Sequence, residues 1–219
     1  MTVAAHQPNC LPNLGFFYKM LQVDLFIIIG NIQFEKHEGW QRRHKIKTAN
    51  GDIWLTVPVI GTQNQMIRDV RINNQSNWRR KHQQTLKFTY GKTPEQDILK
   101  RFCMLYEREW DRLIDFNTAV IMFLKKELEI LTEVVVDEDV GGKKHELLIN
   151  ICKKYNADTY LSGMGAKNYM DKKYYDELAA HNIAHQFIEK NVTGMYPYST
   201  IHYILSEGLT KTKSLLHQQ

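Results

Sequence analysis

Thr2-Val3-Ala4-Ala5-His6, then Gln7-Pro8-Asn9-Cys10-Leu11-Pro12, then Leu14–Val23, then Leu25-Phe26-Ile27-Ile28-Ile29-Gly30: residues 2–30 decide the fold. A short apolar run meets a polar turn held by two prolines. A helix-compatible stretch follows, with Phe17, Met20 and Leu21 as its inward stripe, and then a second apolar run. Two buried strands joined through one helix make a parallel crossover unit. Three further runs read the same way: Val134–Val136, Thr159–Ser162 and Ala184–Ile188. Between the first two of these, Lys143–Tyr155 carries Leu147, Leu148, Ile151 and Cys152 on one face, and Gly141-Gly142 breaks the chain before it. The pattern predicts a Rossmann-like α/β fold: an open, mainly parallel five-stranded sheet covered by helices on both faces.

Two stretches interrupt this scheme. Asp52–Val59 and Ile67–Ile72 alternate around Gly61, which predicts an accessory β-hairpin within residues 52–75. Residues 76–132 read as an inserted helical subdomain. Asn77–Thr89 is a first helix, Pro94 opens a second, and Trp110–Leu131 is a third with Leu113, Phe116, Val120, Phe123, Leu124 and Leu131 apolar. Such aromatic stripes are core rather than cofactor boxes. With no repeat or low-complexity linker, residues 1–219 read as one α/β domain, and Lys211–Gln219 reads as a frayed tail.

Composition narrows the class. Hydrophobic residues make up 43% of the chain, enough for a sizeable core, yet no run approaches the roughly 18–20 apolar residues that span a bilayer. The N-terminus lacks a basic segment followed by a long apolar one, so no secretory signal is read and a cytoplasmic location is expected. Cys10, Cys103 and Cys152 are too far apart for a CxxC pair or a zinc site, and Cys10 reads as a free small hydrophobe. The net charge of +5 is uneven, with Lys36, Arg42, Arg43, Lys45 and Lys47 within one short stretch. That concentration favours a local anion site over the broad basic face that nucleic acid needs.

Three loops carry the candidate chemistry. In an open parallel sheet, ligands sit beyond the carboxyl ends of the strands, where the winding reverses, and the first strand usually lies at that switch. Its exit turn offers His6, Gln7 and Asn9, although Gln and Asn in turns also serve to satisfy backbone groups. The second strand releases Gln33 and Glu35 into a basic loop with Trp40, Arg42, Arg43 and Lys47. Guanidinium forks suit phosphate or carboxylate and Trp40 offers a face for a ring or sugar, but a solvated charged loop would have the same composition. The fourth strand delivers Ser162, Gly163, Gly165 and Lys167, whose glycines let backbone N–H groups approach an anion. His6 suits general base work or donation to a developing oxyanion. Neither GxSxG nor HExxH is present. Asp137, Glu138 and Asp139 read as a cap for the Lys143 helix or as a solvated cluster.

Taken together, His6-Gln7-Pro8-Asn9, Leu11-Pro12, Leu14-Gly15-Phe16-Phe17, Gln33-Phe34-Glu35-Lys36, Trp54-Leu55-Thr56-Val57-Pro58-Val59 and Tyr160-Leu161-Ser162-Gly163 leading into Gly165-Ala166-Lys167-Asn168-Tyr169 resemble the signatures of the WbqC-like family over nearly the whole chain. The resemblance implies a place in bacterial surface-polysaccharide (O-antigen) or modified-sugar biosynthesis; the family's chemistry is poorly defined. Two positions depart from the family pattern. Gly30-Asn31 stands where members usually carry an acidic pair, leaving Glu35 as the substitute carboxylate. His202 stands in place of a C-terminal Asp. A weaker, fold-level likeness is similar to pantothenate synthetases and the HIGH-motif nucleotidylyltransferases, although the second His of that motif is absent.

The expected function is N-acyl or aminoacyl transfer to a nucleotide-linked amino sugar. Two alternatives are a nucleotidylyltransferase acting on a sugar phosphate, and a non-catalytic module binding a nucleotide-sugar or nucleic acid. An acyl transferase or amide-forming ligase of this kind would draw on an acyl thioester or ATP, and the residues name neither. The expected partner is a small anionic molecule; no metal site is read, and oligomeric state is not legible.

Overall fold

The computed structural model describes residues 1–35, 39–61, 64–163, 166 and 172–217. Gly165 and Lys167, both candidate phosphate contacts, lie outside the described residues, as does Lys36 of the basic stretch. The chain opens with β1 (Thr2–His6), α1 (Leu14–Leu21) and β2 (Leu25–Ile29). There follow β3 (Arg43–Thr48), β4 (Gly51–Thr56), β5 (Val59–Ile60) and β6 (Arg71–Ile72), then α2 (Trp78–Tyr90), α3 (Gln96–Met104) and α4 (Leu113–Glu127). The second half contains β7 (Glu133–Asp137), α5 (His145–Tyr155), β8 (Thr159–Ser162), α6 (Lys172–Ala180), β9 (Ala184–Phe187), α7 (Val192–Met195), α8 (Thr200–Glu207) and α9 (Leu209–His217).

Five strands form one parallel sheet in the order β7-β2-β1-β8-β9. From β1 the chain winds outward through β2 to β7, then returns to lay β8 and β9 on the other side of β1. The winding therefore reverses between β1 and β8, and their carboxyl ends, at His6 and Ser162, flank the switch. Strand alternation divides the core in two. Ala4, Phe26, Ile28 and Leu161 face α1, α4 and α8, while Val3, Ala5, Leu25, Ile27 and Ile29 face α5 and α6. This is the two-sided cover that near-continuous apolar strands require.

The insertion between β2 and β7 differs from its reading in one instructive way. The antiparallel hairpin pairs β3 with β4, from Arg43 opposite Thr56 to Thr48 opposite Gly51. The last third of the presumed basic loop is thus a strand, in which His44 and Ile46 are buried while Lys45 and Lys47 alternate outward. Charge masked this strand, because only every second residue is apolar or buried. Within residues 52–75 the second pairing is short, Val59 with Ile72 and Ile60 with Arg71. The three inserted helices form as expected, with Trp78, Phe102, Tyr106 and Phe116 in edge-to-face contact within the core. The C-terminus corrects the expected fray: α9 runs through His217 because Thr212 and Leu216 are buried against the body of the fold.

Buried neutral histidines give this fold a defined acid sensitivity. Burial pushes His44 and His82 down to about 4, and each is almost fully enclosed. His82 hydrogen-bonds through Nε2 to Thr56 O at 3.1 Å, and His44 Nδ1 accepts from Lys45 N at 2.9 Å. The folded state keeps both neutral and the unfolded chain protonates them near 6.5. Their contribution is therefore intact above about pH 6.5 and is lost as pH falls toward 4, at roughly 2 kcal/mol each by pH 5. Thermal denaturation between pH 7.5 and 5 is expected to show Tm falling by about 10 °C; a flat profile over that range would contradict the burial of neutral imidazoles.

Candidate functional site

A cavity of about 450 Å³ opens at the switch between β1 and β8. Its floor is the exit of β1, His6 and Gln7, with Asn9 and Trp40 on one wall and Gly163 at the end of β8 on the other. The remaining wall comes from Asn13 and the first turns of α1 (Gly15, Phe16, Tyr18, Lys19) and from the segment after β9, Ile188 with Lys190–Thr193. Five of the residues singled out from sequence thus meet at one place. Gly15 permits the closure: a Cβ there would stand 2.0 Å from Thr193 Oγ1 and 2.8 Å from Thr193 N, so α7 could not seat on α1. At Gly163 an added Cβ would meet nothing within 4 Å; packing makes no demand for glycine, and the bare backbone leaves the opening wide.

The β1 exit turn is held from outside itself. Asn117 of α4, fully buried, donates from Nδ2 to Pro8 O and to Gln41 O, both at 2.7 Å. Gln41, also fully buried, donates from Nε2 to Gln7 Oε1 at 3.0 Å and to Gln33 O at 3.2 Å, and its Oε1 accepts from Glu35 N at 2.8 Å. Cys10 N donates to Trp40 O at 2.8 Å and Thr200 N to Pro12 O at 2.8 Å. The insertion and the C-terminal helices therefore fix the loop that the sheet begins. With its carbonyl oxygen occupied by Gln41, Gln7 has its amide N–H groups to offer the cavity.

His6 is fixed in one tautomer. Its Nδ1 lies 2.9 Å from Gln7 O, a carbonyl that can only accept, so Nδ1 carries the proton and Nε2 is a lone-pair acceptor. Burial, reinforced by the charge of Lys19, pushes its pKa down to about 3, so the ring is neutral throughout the physiological range. Donation from Nε2 to an oxyanion, one of the roles read from sequence, does not fit this tautomer. Asn9 adds a second acceptor: its Oδ1 is buried and has no hydrogen-bond partner. An unsatisfied buried acceptor costs about 1–3 kcal/mol.

The positive charge of this site differs from the sequence reading. Lys19 is only 7% exposed, and its Nζ donates to Ala5 O at 2.9 Å. Burial pushes its pKa down to about 8. Lys190 joins it on the lining, and no carboxylate lines the cavity among the described residues. Sequence reasoning passed over both lysines. Lys19 sits three residues from Phe16 and next to Met20, on an otherwise apolar helical face, and that misfit was the available signal. Lys190 follows the carboxyl end of a parallel strand, where the switch-point rule already looks for ligand contacts.

The arginines stand apart from the cavity. The Arg43 guanidinium stacks 4.7 Å from the centre of the Trp54 ring, on the outer face of the hairpin. Arg42 is half-buried; its desolvation, then the neighbouring Arg43 charge, lower its pKa, and its carbonyl accepts from Val57 N at 2.8 Å. Lys47 lines a separate groove of about 320 Å³ with Lys92, Tyr90 and His202. None of the three is on the cavity lining. Gln33 is exposed, its side chain 3.5 Å from Asn64, and Glu35 is exposed and outside the lining. Ser162 points inward, its Oγ 2.8 Å from His185 Nε2, and does not line the cavity. Burial pushes the Cys10 thiol well up, consistent with a small hydrophobe rather than a nucleophile.

The two departures from the family pattern have structural counterparts. A Cβ at Gly30 would meet Glu138 Cγ and Ile114 Cδ1 at 2.9 Å, so Glu138 occupies the space a side chain there would need. Glu138 is itself paired with Arg112 at 2.7 Å. Asp137 caps its own turn, accepting from Asp139 N and Val140 N, rather than the Lys143 helix. Among the described residues no group of three His, Cys, Asp or Glu could hold a metal ion. His202 hydrogen-bonds through Nδ1 with Tyr90 Oη at 2.8 Å and lines the groove of Lys47 and Lys92 rather than this cavity. No described helix is long and apolar enough to cross a membrane.

No solved structure matches this chain. An uncharacterized protein of Mycobacterium tuberculosis, Rv1507c, is 32% identical over 183 residues, covering 81% of this chain and 78% of that relative. The family model described as the WbqC-like protein family matches residues 7–205, from the cavity floor to the last turn of α8. With the match spanning the cavity floor, the insertion that braces it and the strands on both sides of the switch, this chain belongs to the WbqC-like protein family.

Proposed function

We propose that this chain is an enzyme of bacterial surface-polysaccharide or modified-sugar biosynthesis, transferring an acyl or aminoacyl group to the amine of a nucleotide-linked amino sugar in the switch-point cavity. The observation that carries the reading is the buried cation of that cavity: Lys19 lines it and is only 7% exposed. Such a site favours an anion such as a phosphate or diphosphate, and its volume suits a drug-sized polar ligand. Lys19 neutralises the anion, and Trp40 offers an aromatic face at the rim. In the transfer, the amine nitrogen bonds to the acyl carbon, the bond from that carbon to its leaving group breaks, and the leaving group departs with the electron pair. The nitrogen loses one proton, which ends on the departing leaving group. Gln7 N–H groups and the Lys19 ammonium are the donors available to oxygen on the acyl carbon as negative charge develops there. His6 accepts a hydrogen bond from the nucleophile.

The test is mass spectrometry of the chain incubated with nucleotide-linked amino sugars and either acyl-CoA species or ATP plus carboxylic acids. An N-acylated product, abolished in Lys19→Met, is expected. Pyrophosphate release from ATP or CTP without acylated product would replace this reading with nucleotidylyl transfer. Tight retention of a nucleotide-sugar with no turnover in any combination would make the chain a binding module.

A further inference from the structure

Helix α2 has two opposite sides. Trp78, His82, Leu86 and Tyr90, spaced by four, are buried, and His82 ties the helix to β4 through Thr56 O. From the other side Phe88 projects, 90% exposed. A single surface Phe is ordinary, but this one does not stand alone. It shares a groove of about 450 Å³ with Ile53, itself 39% exposed, and with Ala49 of the β3–β4 turn. Through Thr48, Ala49 and Thr89 that groove continues into the space lined by Lys47 and Lys92.

The charge around this groove is of one sign. Residues 43–54 and 76–92 carry eight Lys or Arg and one Asp, in a chain whose net charge is +5, so the rest of the chain is net negative. Lys45 pairs with Asp52 and Arg79 with Glu109. Lys47, Arg80, Lys81, Lys87 and Lys92 make no ion pair among the described residues. Lys81 lies about two helical turns before Phe88 on the same line of α2, and Arg80 and Lys87 flank that line; all three are exposed.

We propose that the face formed by α2 and the β3–β4 turn docks on an anionic lipid surface, with Phe88 and Ile53 entering the interfacial layer and the surrounding cations meeting lipid phosphates. Each component matches one layer of such a surface: apolar side chains suit the acyl boundary, and Lys and Arg suit the headgroups. A nucleic acid would engage the same cations but draws nothing from the aliphatic Ile53 and Ala49 in the groove. The proposal does not depend on what the switch-point cavity holds, since the two sites share no lining residue.

Co-sedimentation of the full chain with vesicles of phosphatidylcholine alone, and of phosphatidylcholine with about 30% phosphatidylglycerol, at about 0.15 M salt, tests the proposal. Binding to the anionic vesicles is expected, at least about tenfold tighter than to phosphatidylcholine alone. Each cation near the surface contributes about fivefold, so the triple variant Lys81→Gln, Lys87→Gln, Lys92→Gln loses about a hundredfold. Phe88→Ala weakens binding about tenfold, the effect of burying the ring in part. In Phe88→Trp, brominated phosphatidylglycerol quenches more of the tryptophan emission than in the wild type, a readout that adsorption by charge alone does not produce. All four positions are exposed, and thermal denaturation confirms that the variants fold. Failure to bind the anionic vesicles, equal binding to both compositions, or unchanged binding by the triple variant or by Phe88→Ala overturns the proposal. Binding of an oligothymidylate that the lysine substitutions abolish, with no vesicle binding, overturns it in favour of a nucleic-acid face.

Discussion

Lys19→Met is expected to weaken binding of a phosphate-bearing ligand by roughly ten- to hundredfold while raising the stability of the ligand-free chain at pH 7 by about 1–2 kcal/mol. The two effects share one cause. A hydrogen bond to a charged group contributes about 1.5–3 kcal/mol, and Lys19 is the buried cation on the cavity wall. The same burial opposes folding. Its pKa falls from 10.5 in the unfolded chain to about 8 in the fold. The unfolded state therefore binds more protons between those values, and stability climbs as pH rises through that window. At pH 7 the full cost, about 3 kcal/mol, is present, offset in the variant comparison by losing the bond to Ala5 O. Methionine keeps the stem and removes the charge. Its stability profile should be flatter above pH 8 than that of the wild type. A variant that lost stability at pH 7 and bound phosphate normally would show that Lys19 is a structural lysine.

Gln41→Leu is expected to cost about 3–5 kcal/mol in urea denaturation and to abolish ligand binding in whatever fraction remains folded. Leucine fits the space but makes none of the side-chain bonds, leaving Gln7 Oε1, Gln33 O and Glu35 N each short of a partner at a part-buried site. Each unsatisfied group costs about 1–3 kcal/mol. Gln41→Glu should be as damaging, since a carboxylate can still accept from Glu35 N but cannot donate to the two oxygens. Lys47→Gln, on the exposed face of β3, is the contrasting case and should change stability by less than about 0.5 kcal/mol. A Gln41→Leu chain destabilised by under 1 kcal/mol would mean that the β1 exit turn holds its shape without this brace.

The central sheet was legible because its strands are buried on both faces. Leu25–Ile29 has no polar residue, and such runs announce themselves in sequence. β3 was not legible: a hairpin strand with one solvated face carries Arg43, Lys45 and Lys47 on alternate positions, and its charge looked like a loop. The C-terminal helices gave weaker signals, since α9 buries little beyond Thr212 and Leu216. At the site, the residues found from sequence were those adjacent in the chain to a strand end: His6, Gln7, Asn9 and Gly163. Those missed depend on contacts remote in sequence. Gln41 meets Gln7 across 34 residues and Asn117 meets Pro8 across 109, and neither spacing leaves a local pattern. Arg42, Arg43 and Lys47 illustrate the opposite error. Their charge was evident, but the direction of a side chain is not written in composition; in β3 it follows strand register, and none of the three lines the cavity.

A crystal structure of the chain soaked with a nucleotide-linked amino sugar tests the account most directly. The expected result is a ligand phosphate within hydrogen-bond reach of Lys19 Nζ, between the carboxyl ends of β1 and β8. Density for the ligand in the groove of Lys47, Lys92 and His202, with the switch-point cavity holding none of it, would contradict the account.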